Sequence, residues 1–566
     1  MRIKHIKINN FRGIREMSWS ITSPVTCLIG PGDSTKTTIL DAIELSLLPR
    51  WNYQFDDSDF YMSNVKNPIE IIVTLGQIPG TLLSEQKFGL YIRGWTKAGE
   101  IRDEPAEDDE PVLSIRLKVD DSLEPEWTVT NDRNIEGKKI SYKEREALGA
   151  NRLGSNIEKH LSWGRGSSLT HMTENNREVK SVLIDASRKI KNEIDFDKFD
   201  ELLKTAHKTQ NLASGLGVKP NSGYTPQLDS NTISTNFGAI SIYDGKIPLR
   251  LMGLGTQKLI ALSLQLSLLR QGEMILIDEV EHALEPFRIR HLLRTINDHI
   301  KSSIDSIGQV IMTSHSHTAI VELEAEKLCV VRSENGMTTC INVNNELQST
   351  IRDVPESLLG RKIIVCEGKT EFGLLISLEE YWKNSGMDNF ASKGVVPVEG
   401  GGDTAPKRTI ELSELGYNTC LFLDSDKLNE LKPDIETIKS SGVELIHWAG
   451  EVSTEQRIIL DIPWAAVKKV VELAVEFKGQ DSVFDSIRAN LGINSKTNQD
   501  IDEFKNHGFS EEEIRCAIGR AAKKNNWFKR IDPGKRLGYV LVEEFDDIAG
   551  KEIMETISTL KNWIYE

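Results

Sequence analysis

The first ten residues, Met1-Arg-Ile-Lys-His-Ile-Lys-Ile-Asn-Asn, alternate apolar and polar positions with the two-residue period of a half-buried strand. Farther along, the alternation gives way to short, mainly apolar runs at 25–29, 274–277, 310–312, 363–366, 395–398 and 421–423. Runs of this kind, closed by glycine, acid or hydroxyl residues, suit the inner strands of parallel sheets, which need crossover connections that are usually helical. Helical periodicity supplies such connections at 39–48, 259–269 and 371–382, and appears again at 179–190 and 199–203. Residues 444–448 read as one more strand. The pattern predicts an α/β chain in two groups of strands, with a polar connector over 342–359 between them.

The first group carries the order of a phosphate-binding loop. A strand at 25–29 runs into Gly30-Pro31-Gly32-Asp33-Ser34-Thr35-Lys36-Thr37-Thr38 and then into a helix. Backbone amides of such a loop and of the helix start hold phosphate oxygens, Lys36 reaches the β/γ-phosphates, and the Thr37 hydroxyl ligates magnesium. Thr35 departs from the pattern, which has glycine before the lysine, and a side chain there is expected to crowd the phosphates and slow hydrolysis. Met274-Ile275-Leu276-Ile277-Asp278-Glu279 is an apolar strand ending in two acids, the Walker B pattern. Asp278 is expected to support magnesium and Glu279 to polarise the attacking water. Residues 251–258 open the apolar helix as a degenerate ABC signature would. Leu284-Glu285-Pro286 has the form of a D-loop, and the strand at 310–312 leads to His315 in the place of a switch histidine.

The second group ends its strands in carboxylates. Residues 361–366 lead to Glu367-Gly368-Lys369-Thr370-Glu371, and 421–423 lead to Asp424-Ser425-Asp426. Strand alternation is expected to turn Asp424 and Asp426 to one face. If the two strands are neighbours, Glu367 joins them at the carboxyl edge, where open α/β sheets bind ligands. Acids so crowded repel one another unless a divalent cation neutralises them, and an all-oxygen set suits magnesium or manganese.

Composition changes this picture little. A formal charge of −16 over 566 residues argues against a chain that coats nucleic acid along its surface, yet leaves room for one basic groove. The densest basic stretch, 523–536, interleaves lysines and arginines with Trp527 and Phe528. Six scattered cysteines show no Cys-x-x-Cys spacing, which points to a reducing cytoplasm rather than to zinc or disulfides. Neither a secretory leader nor a membrane-spanning run is read in the sequence, so no membrane partner is expected. Gly99 to Pro111 is expected to be a hairpin tip or surface loop, and 219–235, rich in Pro, Ser, Asn, Gly and Thr, a loop.

The Glu-Gly and Asp-x-Asp pair resembles the Toprim domain, and Asn9-Asn10-Phe11-Arg12-Gly13 resembles the opening strand of RecF- and SMC-like ATPases. Taken in order, the motifs resemble the OLD family of ATP-dependent endonucleases, the group that includes the Gabija nuclease subunit. That resemblance implies an ABC/RecF-like ATPase head over 1–150 and 216–345, with a helical dimerisation insert at 151–215. A linker at 346–360 and a Toprim nuclease domain with carboxyl-terminal helices over 361–566 would follow. It also implies two Mg2+ or Mn2+ ions held by Glu367, Glu371, Asp424, Asp426 and Glu455, and a Lys529 that stabilises negative charge near the scissile phosphate. The implied partners are ATP with Mg2+, DNA, further copies of the chain, and a UvrD-like helicase or another partner in anti-phage defence. Thr35, and Val280 where the family usually has proline, depart from the family pattern. The competing reading is a RecF-like DNA clamp with an inactive Toprim domain. A topoisomerase or primase lacks its tyrosine nucleophile or zinc module here.

Overall fold

The alternating amino terminus forms β1 (Arg2–Phe11), which pairs antiparallel with β2 (Ile14–Ser20) and β4 (Ile69–Gly76). In the computed structural model, residues 1–47, 53–146, 148, 150–153, 157–164, 167–173, 196–228, 240–269, 274–302, 308–426, 428, 432–493 and 500–566 are described. They fall into two units, Met1–Gln348 and Ser349–Glu566.

In the first unit β4 continues to β7 (Glu110–Val119), which pairs with both β5 (Arg93–Trp95) and β8 (Pro125–Asn131). β5 turns back through β6 (Ile101–Arg102), so the acidic stretch that follows is a surface loop after a hairpin. β8 pairs with β9 (Asn134–Lys139). The other half of the sheet is parallel, in the order β10 (Ala150–Leu153), β14 (Met274–Ile277), β15 (Gln309–Thr313), β3 (Val25–Ile29) and β16 (Leu328–Glu334). β17 (Met337–Asn342) joins the two halves by pairing with β16 and β2. Every residue of β3, β14 and β15 is buried, which is why these strands read as mainly apolar runs rather than as alternating ones. α1 (Lys36–Leu47) follows β3, and α2 (Asp200–Gly215) packs on α3 (Leu254–Leu269). α4 (Pro286–Ser302) follows β14.

Two expectations change here. Within the expected loop at 219–235, β11 (Tyr224–Leu228) pairs with β12 (Ile240–Asp244), and β13 (Ile247–Pro248) completes a small sheet. Pro226 is tolerated because β11 is an edge strand, where a missing N–H deprives no neighbour. The periodic segment at 199–203 opens α2, while 179–190 lies outside the described residues.

The second unit is a parallel sheet in the order β19 (Val395–Glu399), β18 (Lys362–Cys366), β20 (Asn418–Leu423) and β21 (Glu444–His447). β18 and β20 are therefore neighbours, as the carboxylate argument requires. Helices α5 (Lys369–Asn384), α6 (Ala405–Glu414), α7 (Thr454–Asp461), α8 (Glu511–Lys524) and α9 (Ile531–Glu543) supply crossovers and a carboxyl-terminal layer. α5 and α9 cross backbone to backbone. A Cβ on Gly373 would lie 2.4 Å from the Ile531 carbonyl oxygen, one on Gly534 2.8 Å from that of Thr370, and one on Gly538 1.8 Å from the Ser377 Oγ. The expected connector is itself ordered by burial of Ile351, Val354 and Leu358. Among the described residues no helix is long and apolar enough to cross a membrane.

Candidate functional sites

The phosphate-loop residues meet at the carboxyl ends of β3, β14 and β15. The Lys36 ammonium donates to the Gly30 and Pro31 carbonyl oxygens at 3.1 and 2.7 Å and to the Ser34 Oγ at 2.9 Å. Burial pulls its pKa down to about 8. Gly30 has φ +139° and a Cβ there would meet the Val331 oxygen at 2.5 Å, so glycine is required; Gly32 faces open space and is not. The α1 amino terminus presents the first-turn amides of Lys36, Thr37 and Thr38, which have no carbonyl partner within a helix, in the manner that suits an anion. Thr35 closes the loop with φ +67°, its carbonyl accepting the first helical bond from the Ile39 N–H. Its side chain is turned to one side. Oγ1 donates to the Ser34 oxygen (2.6 Å) and lies 3.2 Å from the Thr338 Oγ1, while a Cβ on Gly13 would touch its methyl group. Thr35 therefore carries backbone strain, and its side chain is held against Ser34, Thr338 and Gly13.

Asp278 sits between the two strand ends. Its Oδ1 accepts from the Thr37 hydroxyl (3.1 Å) and the Thr313 hydroxyl (2.7 Å), and its Oδ2 accepts from Arg152 (3.0 Å). Glu279 has φ +45°, its N–H donates to the Thr313 Oγ1 at 2.7 Å, and its carbonyl accepts from Lys258. Val280 stands where the resembling family has proline because its N–H is used: it donates to the Thr313 oxygen at 3.0 Å. The His315 amide donates to the Glu281 Oε1 at 2.6 Å. Burial, then the Lys36 charge, pulls the His315 imidazole below its ordinary pKa, which keeps it a neutral partner. Glu281, which also accepts from the Ser314 Oγ, was not singled out in the sequence; the third acid in Asp-Glu-Val-Glu is its only trace.

In the second unit four acids gather where β18 and β20 end. The Glu367 Oε2 accepts the Asp424 N–H at 2.9 Å, and the Glu367 N–H donates to the Phe422 oxygen. The Glu371 Oε2 caps the start of α5 by accepting the Gly368 N–H at 3.0 Å. The Asp424 Oδ1 accepts from both the N–H (2.7 Å) and the hydroxyl (2.6 Å) of Thr454, at the start of α7. Glu455, in the same turn, is 1 % exposed and accepts from the Thr370 hydroxyl. Burial, then repulsion from Glu455, lifts the Glu371 carboxyl to about 7. Burial and the charges of Glu371, Glu455 and Glu367 lift that of Asp424 as well.

Asp424 and Asp426 lie past Leu423, the last residue of β20, so strand alternation does not orient them. They part company: Asp424 turns to Thr454 while Asp426 pairs with Lys523 on α8. Lys529 is exposed, one residue beyond Phe528, whose carbonyl accepts from the Thr370 hydroxyl at 3.2 Å; this brings its segment to the start of α5. These four acids are bonded by backbone amides and threonine hydroxyls, an oxygen donor set whose chemistry fits a hard divalent cation. Their oxygens do not yet converge: among the described residues no three His, Cys, Asp or Glu side chains form a ready ligand set.

The first site defines a P-loop nucleotide-binding domain on a parallel-stranded core. Residues 25–322, more than half of the chain, match the family described as "AAA domain, putative AbiEii toxin, Type IV TA system", and the chain belongs to that family. No curated protein matches it. Among solved structures, the SMC head domain from Thermotoga maritima is similar at 14% identity and TM-score 0.32, covering 61% of this chain and 100% of that one. The recombination mediator protein RecF–ATPrS of the RecFOR pathway is similar at 14% identity and TM-score 0.35, covering 60% and 98%.

Proposed function

We propose that the chain is a nucleotide-regulated, divalent-metal-dependent DNA endonuclease acting in anti-phage defence. The observation that carries this reading is the gathering of buried Glu371 and Glu455 with half-buried Glu367 and Asp424 at the carboxyl edge of a parallel sheet. Desolvation and mutual repulsion penalise the ionised form of such a cluster, and bound cations would offset both. Glu367, Asp424, Glu371 and Glu455 would hold Mg2+ or Mn2+, with Asp426 joining them once released from Lys523. Bound there, the metal supplies an activated water and neutralises charge on the phosphate. Lys529 and the basic residues around it hold the phosphodiester backbone without reading sequence, and Lys529 offsets charge that develops as the bond breaks. Nucleotide at Lys36, Thr37 and Asp278 regulates access rather than driving cleavage, which is downhill. Further copies of the chain and a defence partner such as a UvrD-like helicase complete the proposed assembly.

The test is purified protein on supercoiled plasmid with Mg2+ or Mn2+. Wild type is expected to nick or linearise it, and Glu367→Ala with Asp424→Ala to leave it intact; equal cutting by both would remove the nuclease reading. The Lys523–Asp426 pair and the unconverged acids favour a second reading, a RecF-like clamp that retains DNA when ATP is bound and cuts nothing. The same plasmid, retained on a filter but uncut, would identify it.

A further inference from the structure

We propose that Arg152 is a positioning residue that competes with Mg2+ for Asp278 and so sets how much magnesium the nucleotide site requires. The proposal rests on the P-loop reading of the first unit and concerns a residue that the motifs do not include. β10 lies at the edge of the parallel half-sheet, where its partner is β14, with Arg152 opposite Leu276 and two residues short of Asp278. The side chain is 13% exposed and its guanidinium reaches three acids on two elements. Nη1 donates to the Glu44 Oε2 at 3.0 Å and also pairs with Asp41, both on α1, and Nη2 donates to the Asp278 Oδ2 at 3.0 Å.

Asp278 is thereby engaged on both oxygens, by hydroxyls on one side and by a fixed cation on the other. A magnesium ion beside Thr37 and Asp278 has to share that carboxylate with Arg152. Two cations on one acid repel, so the guanidinium weakens the metal. Its grip on Asp41 and Glu44 also ties the metal acid to the helix that begins at Lys36. With Arg152 removed, Glu44 and Asp278 lose their shared cation while Asp41 keeps its ion pair with Arg12, and the freed carboxylate charge draws the metal more strongly.

The test is a Mg2+ titration of the binding of a fluorescent ATP analogue, with no turnover required. Arg152→Gln is expected to lower the Mg2+ concentration for half-maximal binding by about fivefold or more. Arg152→Lys, which keeps the charge, is expected to stay near wild type. A merely structural role would lower the melting temperature of Arg152→Gln and leave its Mg2+ requirement unchanged or raised, and that result overturns the proposal. If circular dichroism shows Arg152→Gln unfolded, the double variant Glu44→Gln/Arg152→Gln removes an acid that loses its Arg152 partner, while Asp41 keeps Arg12, and is read in the same way, with the same direction expected. Absence of nucleotide binding by wild type at any Mg2+ concentration would instead overturn the P-loop reading, and this inference with it. Lys36→Ala-sensitive binding with superimposable wild-type and Arg152→Gln titrations would overturn the role of Arg152 alone.

Discussion

At Thr35 a β-branched residue holds φ +67°, a left-handed conformation that costs roughly 1–2 kcal/mol for a residue with a Cβ. Thr35→Gly removes that strain at the position that cradles phosphate. Steady-state phosphate release at saturating ATP is therefore expected to rise, while the loss of the contact with Thr338 keeps the change in stability to about 1 kcal/mol or less. Glu371 gives a second prediction. Its folded carboxyl titrates at about 7 against an ordinary 4.5, so the folded state binds the proton more tightly than the unfolded one. Below pH 4.5 both states are protonated and nothing is lost. Through the window from 4.5 to about 7 stability falls as pH rises, and above it the full penalty stands. A bound cation favours the ionised form, so Mg2+ is expected to raise the melting temperature more at pH 8 than at pH 5. Glu371→Gln should flatten both responses in the same thermal scan. Glu367 and Asp424 were legible in the sequence because each closes an apolar run, whereas Glu371 and Glu455 were expected only from the family resemblance. Thr454, Lys523, Glu281 and Arg152 were not legible, because each reaches its partner from 30 or more residues away and nothing local announces the meeting.

Strands buried on both faces were the most legible elements, since a mainly apolar run leaves few other structures for β3, β14, β15, β18 and β20. Their ends were less so: β20 stops at Leu423, and one residue of difference undoes an argument from alternation. β11 was read as a loop because its composition is that of a loop, and only pairing with β12 overrides this. The crossing of α5 and α9 left a sequence trace only as Gly534 and Gly538 four residues apart, a spacing that means nothing until a partner helix is known. Gly538→Ala is expected to destabilise the second unit by about 1–3 kcal/mol, because its new methyl meets the Ser377 Oγ. Adding Ser377→Ala should restore part of that loss in urea unfolding, whereas Ser377→Ala alone should cost less than about 1 kcal/mol. Additive losses in the double variant would show that the two helices do not touch there.

Across the whole chain, 85 acids against 69 bases give a molecule that repels nucleic acid except where its bases cluster. Binding of DNA through 523–536 should therefore be confined to few phosphates and be markedly sensitive to salt. A filter-binding series from 50 to 200 mM salt is expected to lose about tenfold to a hundredfold in affinity. Lys529→Glu should remove most of what remains without lowering the melting temperature, since that side chain is exposed. The division into Met1–Gln348 and Ser349–Glu566 follows the two groups of apolar runs. The motif order made the nucleotide unit readable, and the acids at the second sheet edge were readable as a set, but their mutual distances were not.

The Trp448 indole N–H donates to the Thr454 hydroxyl at 2.7 Å, and that hydroxyl donates in turn to Asp424. A fully buried chromophore is thus wired through one oxygen to the acid at the heart of the second sheet edge. Any event that neutralises Asp424 changes the field along that indole, so the protein carries its own optical gauge of charge at the site. The difference in emission between wild type and Trp448→Phe isolates that gauge from the other nine tryptophans.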